Sequence, residues 1–225
     1  MTEEDRCLPS GRAVVRRQVW IFTSHARLSG PDQIVVASAQ LAKHIGTSGE
    51  TVTETLRFLA SVGLVRGARG RYAITAAGAE VARLWSQDET RARVLLHRSF
   101  RNHWATRLAL ELLQDGPVGQ GILAEQLQRG LPGNPQRGIY LVEWLVIALV
   151  VNRDEAMRIH APADDDPVGD IGAGVPSAAR TEDGDQWRIM GMTNESLKRL
   201  PGPRYAAVLD AFCQVLDDMD PVENT

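Results

Sequence analysis

The sequence predicts a mainly α-helical fold that carries small β-hairpins. Two observations predict it. Apolar side chains recur at helical spacing through most of the chain, and short strand-forming runs flank turn residues in two places. The chain has 225 residues, 44% hydrophobic and 24% charged, as expected of a globular protein that buries a core. The longest apolar run, Trp144 to Val151, is too short to span a bilayer.

The first 87 residues are predicted to form one domain of helices and one hairpin. The predicted elements, in chain order, are a helix 14–28, a strand 34–36, a helix 39–45 with Ser38 as N-cap, a helix 48–62, strands 64–65 and 71–74 across a Gly-bearing turn 66–70, and a helix from the N-cap Thr75 to Trp85. This order of elements is that of a winged helix-turn-helix domain.

The third helix is predicted to have an inner and an outer face. Val52, Leu56 and Leu59 follow at i, i+4 and i+7, so they share the face that packs against Leu41 and Ile45. A helix anchored in this way leaves its polar N-terminal face free to enter a major groove.

Three stretches resemble bacterial winged-helix regulators of the cyclic-AMP receptor protein, GntR and MarR families. The run from Thr47 to Val65 resembles their recognition helix, Gln40 to Gly46 the helix before it, and Ile74 to Gly78 the step after the wing. The resemblance covers residues 34–85. It implies a cytoplasmic, sequence-specific transcriptional regulator that binds double-stranded DNA as a homodimer.

The candidate DNA contacts lie on the outer face of the third helix and on the wing. Hydroxyl, carboxylate and guanidinium groups there can bind base edges and phosphates. The candidates are Ser48, Glu50, Thr51, Thr53 and Arg57 on the helix, and Arg66, Arg69 and Arg71 on the wing.

A second interpretation follows from two departures from the family pattern. The cyclic-AMP receptor family commonly has arginines where this chain has Gly49 and Glu54, and a carboxylate repels phosphate. These departures favour the alternative of a tandem winged-helix scaffold subunit, of the kind that binds kleisins in chromosome-condensing complexes, without base-specific reading of DNA.

Residues 88–160 are predicted to form a degenerate second winged-helix-like domain. Its counterpart of the recognition helix, residues 139–149, is apolar on nearly all faces and carries one charge, Glu143. A helix of this kind is buried. We therefore expect it to form either core or a subunit interface. An interface at this apolar unit would also suit a protein partner.

The C-terminal part differs in composition and charge. Residues 1–85 hold eleven Lys/Arg against seven Asp/Glu, net +4, whereas residues 160–225 hold five against thirteen, net −8. Positive charge therefore concentrates at the predicted DNA-binding end. Residues 161–186 are predicted to be an acidic mobile loop, and residues 187–225 a strand followed by an amphipathic helix at 204–219.

The motifs of common enzymes are missing from the sequence. It contains no Gly-rich phosphate loop, no GxSxG motif and no CxxC pair, and its five histidines are scattered. We therefore expect a protein without catalytic activity, cofactor or bound metal. Two cysteines without framework spacing, together with the lack of an apolar signal core near the N-terminus, favour a reducing cytoplasm.

Overall fold

A computed structural model describes residues 6–162 and the four residues 188–189 and 192–193. The chain divides into two compact units, Met1–Asp170 and Ile171–Thr225. The segments predicted as separate domains, 1–87 and 88–160, both lie in the first unit. The predicted acidic loop, except for residues 161 and 162, and the predicted helix 204–219 lie outside the described residues.

The described part of the first unit is mainly helical, with small antiparallel sheets, as the sequence predicts. Its helices are α1 (Val15–Ser29), α2 (Ser38–Ile45), α3 (Gly49–Ser61), α4 (Ala76–Trp85), α5 (Glu89–Phe100), α6 (Trp104–Leu112), α7 (Gln120–Gln128) and α8 (Gln136–Ile147). Its strands are β1 (Val36–Ala37), β2 (Val65–Ala68), β3 (Arg71–Ile74), β4 (Val118–Gly119), β5 (Asn152–Arg153) and β6 (Arg158–His160). In these ranges, no helix combines the length and apolar character needed to cross a membrane.

The two sheets of the first unit have the same topology. One has the order β1-β3-β2 and the other β4-β6-β5, and all pairings are antiparallel. In each case a short strand is followed by two helices and a hairpin, and the short strand pairs with the second strand of that hairpin. The second half of the unit therefore repeats the element order of the first half, although the residue identities do not repeat.

Local signals in the sequence explain where most elements begin and end. The Thr75 hydroxyl accepts a hydrogen bond from the Gly78 N–H at 3.0 Å, so this predicted N-cap is confirmed. Ser48, predicted as the first residue of its helix, is the N-cap of α3, and its hydroxyl accepts a hydrogen bond from the Thr51 N–H at 3.1 Å. Gly46 ends α2 in the left-handed conformation, with φ 62°. The prediction for Ser38 is wrong: α2 starts at Ser38 itself, and its hydroxyl is buried without a hydrogen-bond partner.

The first hairpin is tighter than predicted. β2 continues to Ala68, which pairs with Arg71, so the turn consists of only Arg69 and Gly70. Both turn residues have positive φ, 54° and 76°, as a two-residue turn of the primed type requires. The predicted five-residue turn 66–70 was too long because its first three residues, Arg66, Gly67 and Ala68, pair across the ladder.

One hydrophobic core runs through both halves of the first unit. The Phe58 ring of α3 lies 6.1 Å from the Phe100 ring of α5 and 5.8 Å from the Trp144 ring of α8, centroid to centroid. The apolar helix of the second half supplies core rather than surface, because Leu141, Val142, Trp144 and Leu145 are buried within the chain. The sequence left two alternatives open for this segment, core or subunit interface. For these four residues the structure shows core.

The second unit is described only at one small hairpin. β7 (Arg188–Ile189) pairs with β8 (Met192–Thr193) in antiparallel fashion, with Arg188 opposite Thr193 and Ile189 opposite Met192.

Candidate nucleic-acid interface

Helix α3 has one buried and one accessible face. Val52, Leu56 and Leu59 are completely buried in the core that also contains Leu41 and Ile45. This arrangement confirms the predicted inner face. On the opposite side Ser48, Glu50 and Arg57 are exposed, and Thr53 and Glu54 are half-buried.

Thr51 does not belong to the accessible face, which corrects its selection as a DNA contact. Its side chain is only 5% exposed, and its hydroxyl lies 2.7 Å from that of Ser48. Thr51 and the fully buried Phe58 are two helical turns apart and therefore point to the same side of α3. The Thr53 hydroxyl, in turn, donates to the Gly49 carbonyl at 2.8 Å within the same helix.

The hairpin β2–β3 presents the three predicted wing arginines to solvent. Arg66, Arg69 and Arg71 are all exposed, and within residues 6–162 none of them forms a salt bridge. The hairpin is anchored by Tyr72, whose side chain is buried and whose carbonyl lies 3.1 Å from Nε2 of the buried His25. Three guanidinium groups therefore stand on a firmly packed support beside α3.

Residues 6–14, which we name the N-terminal strap, lie along the outer face of α3. The Arg12 guanidinium is 2.7 Å from a Glu50 carboxylate oxygen, and the Ser10 hydroxyl donates to Glu54 at 2.8 Å. Further along, a side-chain hydrogen bond to Cys7 raises the pKa of Arg57. Positions 50, 54 and 57 form one stripe of a helix, so the strap follows this stripe from the N-terminal end of α3 toward its middle.

Hydrogen bonds from both halves of the unit hold the strap in place. The Gln18 side-chain amide donates to the Ser10 carbonyl at 3.0 Å and to the Ala13 carbonyl at 2.7 Å. The Arg137 guanidinium of α8 donates to the carbonyls of Leu8 and Pro9 at 3.0 and 2.9 Å. Because Ser10 and Gln18 are completely buried, releasing the strap would leave several polar groups without partners.

The strap changes the electrostatics of the α3 surface. A carboxylate on this face would repel phosphate, but Glu50 is paired with a guanidinium and Glu54 receives a hydroxyl hydrogen bond. Both side chains of the Arg12–Glu50 pair remain 57% exposed. Such a pair contributes less than about 1 kcal/mol to stability, so its main effect is on the local charge.

Arg12, Ser10 and Cys7 were not among the residues selected from the sequence. Their partners on α3 lie 38 and 44 residues away for Arg12 and Ser10, and no periodicity links a coil segment to a distant helix. The sequence contains only an indirect signal. Two carboxylates lie on a predicted DNA-facing surface, and their negative charge requires positive groups or hydrogen-bond donors from elsewhere in the chain.

A buried histidine contacts the C-terminal end of α3. His103 Nε2 lies 3.3 Å from the Ser61 hydroxyl at the end of α3, and its ring contacts those of Phe58, Phe100 and Trp104. Burial, aided by the positive charge of Arg107, lowers the pKa of His103 to about 4. Among the described residues, no three His, Cys, Asp or Glu side chains are grouped so that they could hold a metal ion.

Comparisons with known proteins add no assignment to this geometry. No protein-family model matches the chain, and no curated protein matches it.

Proposed function

We propose that this protein is a sequence-specific, double-stranded DNA-binding transcriptional regulator built from two winged helix-turn-helix domains in tandem. The observation that carries the proposal is the hairpin β2–β3, which presents Arg66, Arg69 and Arg71 to solvent beside an amphipathic α3. Within residues 6–162 none of these three arginines forms a salt bridge. In this proposal α3 enters the major groove and the hairpin is the wing on the adjacent backbone or minor groove.

The strap makes α3 a better DNA-binding surface than its own sequence suggests. Arg12 places a cation next to Glu50 on a face that lacks the arginines of the cyclic-AMP receptor family. Ser48, Glu50, Thr53 and Arg57 then form the helix side of the interface, and Arg12 compensates the charge of Glu50. Guanidinium and hydroxyl groups of this kind bind phosphates and base edges.

The second winged helix supports the first one. Its counterpart of the recognition helix, α8, is built into the core, so the described part of each chain offers one candidate DNA-reading helix, α3. A regulator with one reading helix per chain gains affinity and specificity by binding two half-sites as a symmetric homodimer. We propose this homodimer, a cytoplasmic location, and a role without enzymatic activity.

A binding titration tests the proposal. Fluorescence anisotropy with the full chain and a labelled 30-base-pair duplex of mixed sequence, in about 50 mM salt, is expected to show micromolar or tighter binding. The affinity should fall steeply as salt is raised, because phosphate contacts release condensed counterions. If tens of micromolar protein leave the duplex free at this salt concentration, the proposal is wrong.

One observation favours a second candidate, a winged-helix scaffold without base-specific reading. The strap occupies the Glu54 side of α3 and is tied to α8 through Arg137, which is a way to close a reading face permanently. The same titration separates the two candidates, provided that the oligomeric state is measured in parallel. A stable oligomer that does not bind DNA supports the scaffold.

A further inference from the structure

Glu143 is the one charged residue of the apolar segment 139–149, and the DNA-binding proposal gives it no role. It is half-buried, and burial raises the pKa of its carboxyl group, while the charge of Arg153 acts in the opposite direction. A carboxylate that loses part of its hydration in this way needs a partner to offset the cost.

The Glu143 side chain lines a cavity of about 680 Å³ between α1, the α4–α5 connection, α8 and β5. Its volume is within the range of sites for small molecules. The cavity is walled in part by apolar side chains, among them Trp85 and Ile147. Arg16, Glu89 and Arg153 complete the lining and are exposed.

These charges are not paired with one another. Within residues 6–162, no salt bridge joins Glu143 or Glu89 to Arg16 or Arg153. One N–H of Arg153 donates to the Gln120 side chain at 3.3 Å, which leaves its other donors for a ligand, because a guanidinium carries five. The cavity therefore offers cationic and anionic groups together with apolar surface.

From this combination we infer that the cavity binds a small zwitterion with an apolar body, that is, a free amino acid or a short peptide. Glu143 receives the ammonium group, and Arg16 and Arg153 receive the carboxylate. Trp85 and Ile147 contact the apolar side chain. A polyanion such as a nucleotide fits poorly because Glu89 and Glu143 would repel its phosphates. The inference does not depend on DNA binding.

Isothermal titration calorimetry on the full chain tests the inference without any DNA. The probes are L-phenylalanine, L-leucine and the dipeptide Leu-Leu. Whichever class binds more tightly, the free amino acids or the dipeptide, identifies the kind of ligand. The matched controls are N-acetyl-L-phenylalanine, which lacks the ammonium group, and L-phenylalaninamide, which lacks the carboxylate. We expect saturable binding of at least one zwitterion. If L-phenylalanine binds, each of its blocked forms should bind at least tenfold more weakly, since each lost charge pair leaves a partner unmatched.

Substitutions then assign the roles. Glu143→Gln is expected to weaken zwitterion binding at least tenfold, and Arg153→Gln should weaken it while leaving the fold intact by circular dichroism. Glu111→Gln, which changes an exposed carboxylate on α6, is the matched control and should bind as the wild type does. The inference is overturned if no zwitterion binds at 10 mM, if the blocked forms bind equally well, or if Glu143→Gln binds normally.

Discussion

The indole N–H of Trp144 donates to the side-chain oxygen of Gln18 at 3.0 Å, and both side chains are buried. The amide nitrogen of the same Gln18 holds the carbonyls of Ser10 and Ala13. A residue of α8 thus orients the glutamine that positions the strap, and the strap sets the charge that α3 presents. This relationship links the buried helix α8 to the surface of α3 through Gln18 and the strap.

The wing arginines are predicted to supply sequence-independent affinity. Reversing all three charges (Arg66→Glu, Arg69→Glu and Arg71→Glu) should weaken binding to every duplex. The slope of log K against log salt should become shallower by about 2.7, because each phosphate contact contributes roughly 0.9. Anisotropy titrations at four salt concentrations measure both quantities.

The control for the wing carries the same charge change elsewhere. Arg91, Arg101 and Arg129 are exposed on the second half of the unit, and their triple change to Glu should leave the salt slope nearly as it is in the wild type. If both triple variants lost the same DNA affinity and salt slope, net charge rather than the wing would govern binding.

The strap is predicted to act on DNA binding through charge compensation. Arg12→Ala exposes the Glu50 carboxylate to phosphate and should weaken DNA binding several-fold, although stability changes by less than about 1 kcal/mol. The double variant Arg12→Ala with Glu50→Ala removes both charges and should recover most of the affinity. A double variant as weak as Arg12→Ala would refute compensation and indicate that Arg12 itself contacts the duplex.

The packing of α4 against the start of β2 is predicted to depend on Gly78. A methyl group at this position would overlap the Leu64 carbonyl oxygen and come within 2.9 Å of Ile74 Cδ1. Gly78→Ala should therefore lower the free energy of unfolding by about 1–3 kcal/mol, the usual cost of overpacking. Urea denaturation measures the change.

Gly121 provides the matched control for Gly78. It also lies in a helix, α7, but a methyl group there meets no atom within 4 Å. Gly121→Ala should be neutral or stabilise the protein by roughly 0.5–1 kcal/mol. If both alanine variants change the free energy of unfolding by the same amount, Gly78 does not approach Leu64 as closely as the structure indicates.

Protonation of His103 is predicted to destabilise the fold in acid. Its pKa is about 4 in the folded chain, against 6.5 for an unperturbed histidine, so between these pH values the unfolded chain binds more protons. The contribution of His103 to the free energy of unfolding is therefore fully present above pH 6.5. It is lost as the pH falls toward and below 4, and the loss amounts to about 3 kcal/mol. The pKa of the buried His25 is also lowered by burial, which adds a loss of the same sign.

His103→Gln isolates that contribution. Urea midpoints at pH 7 and pH 4.5 should differ less in this variant than in the wild type, whatever the substitution does to stability at pH 7. The same pH dependence in both proteins would place the acid sensitivity elsewhere.

Local patterns were sufficient to predict most helices of the first unit. The stripe Val52, Leu56 and Leu59 and the cap Ser48 lie within one segment, so α3 was predicted to within a residue at each end. Thr51 was misplaced because the buried face of α3 is wider than that stripe and also includes Thr51, Thr55 and Phe58.

Features that depend on distant partners could not be predicted. β4 has only two residues, and Val118 pairs with Ile159, far along the chain, so a local window does not detect it. The strap has no regular structure, and its position depends on the side chains of Gln18 and Arg137. The cavity around Glu143 exists only where elements from both halves meet.

Amide chemical-shift mapping tests the central claim most directly. On adding a mixed-sequence duplex to the isotope-labelled full chain at low salt, the largest shifts are predicted at residues 48–57 and 66–71, with a smaller set in the strap at residues 10–12. The claim that α3 and its hairpin bind DNA would be contradicted if the amide chemical shifts of residues 48–57 and 66–71 did not change. This holds whether the shifts change elsewhere in the chain or nowhere.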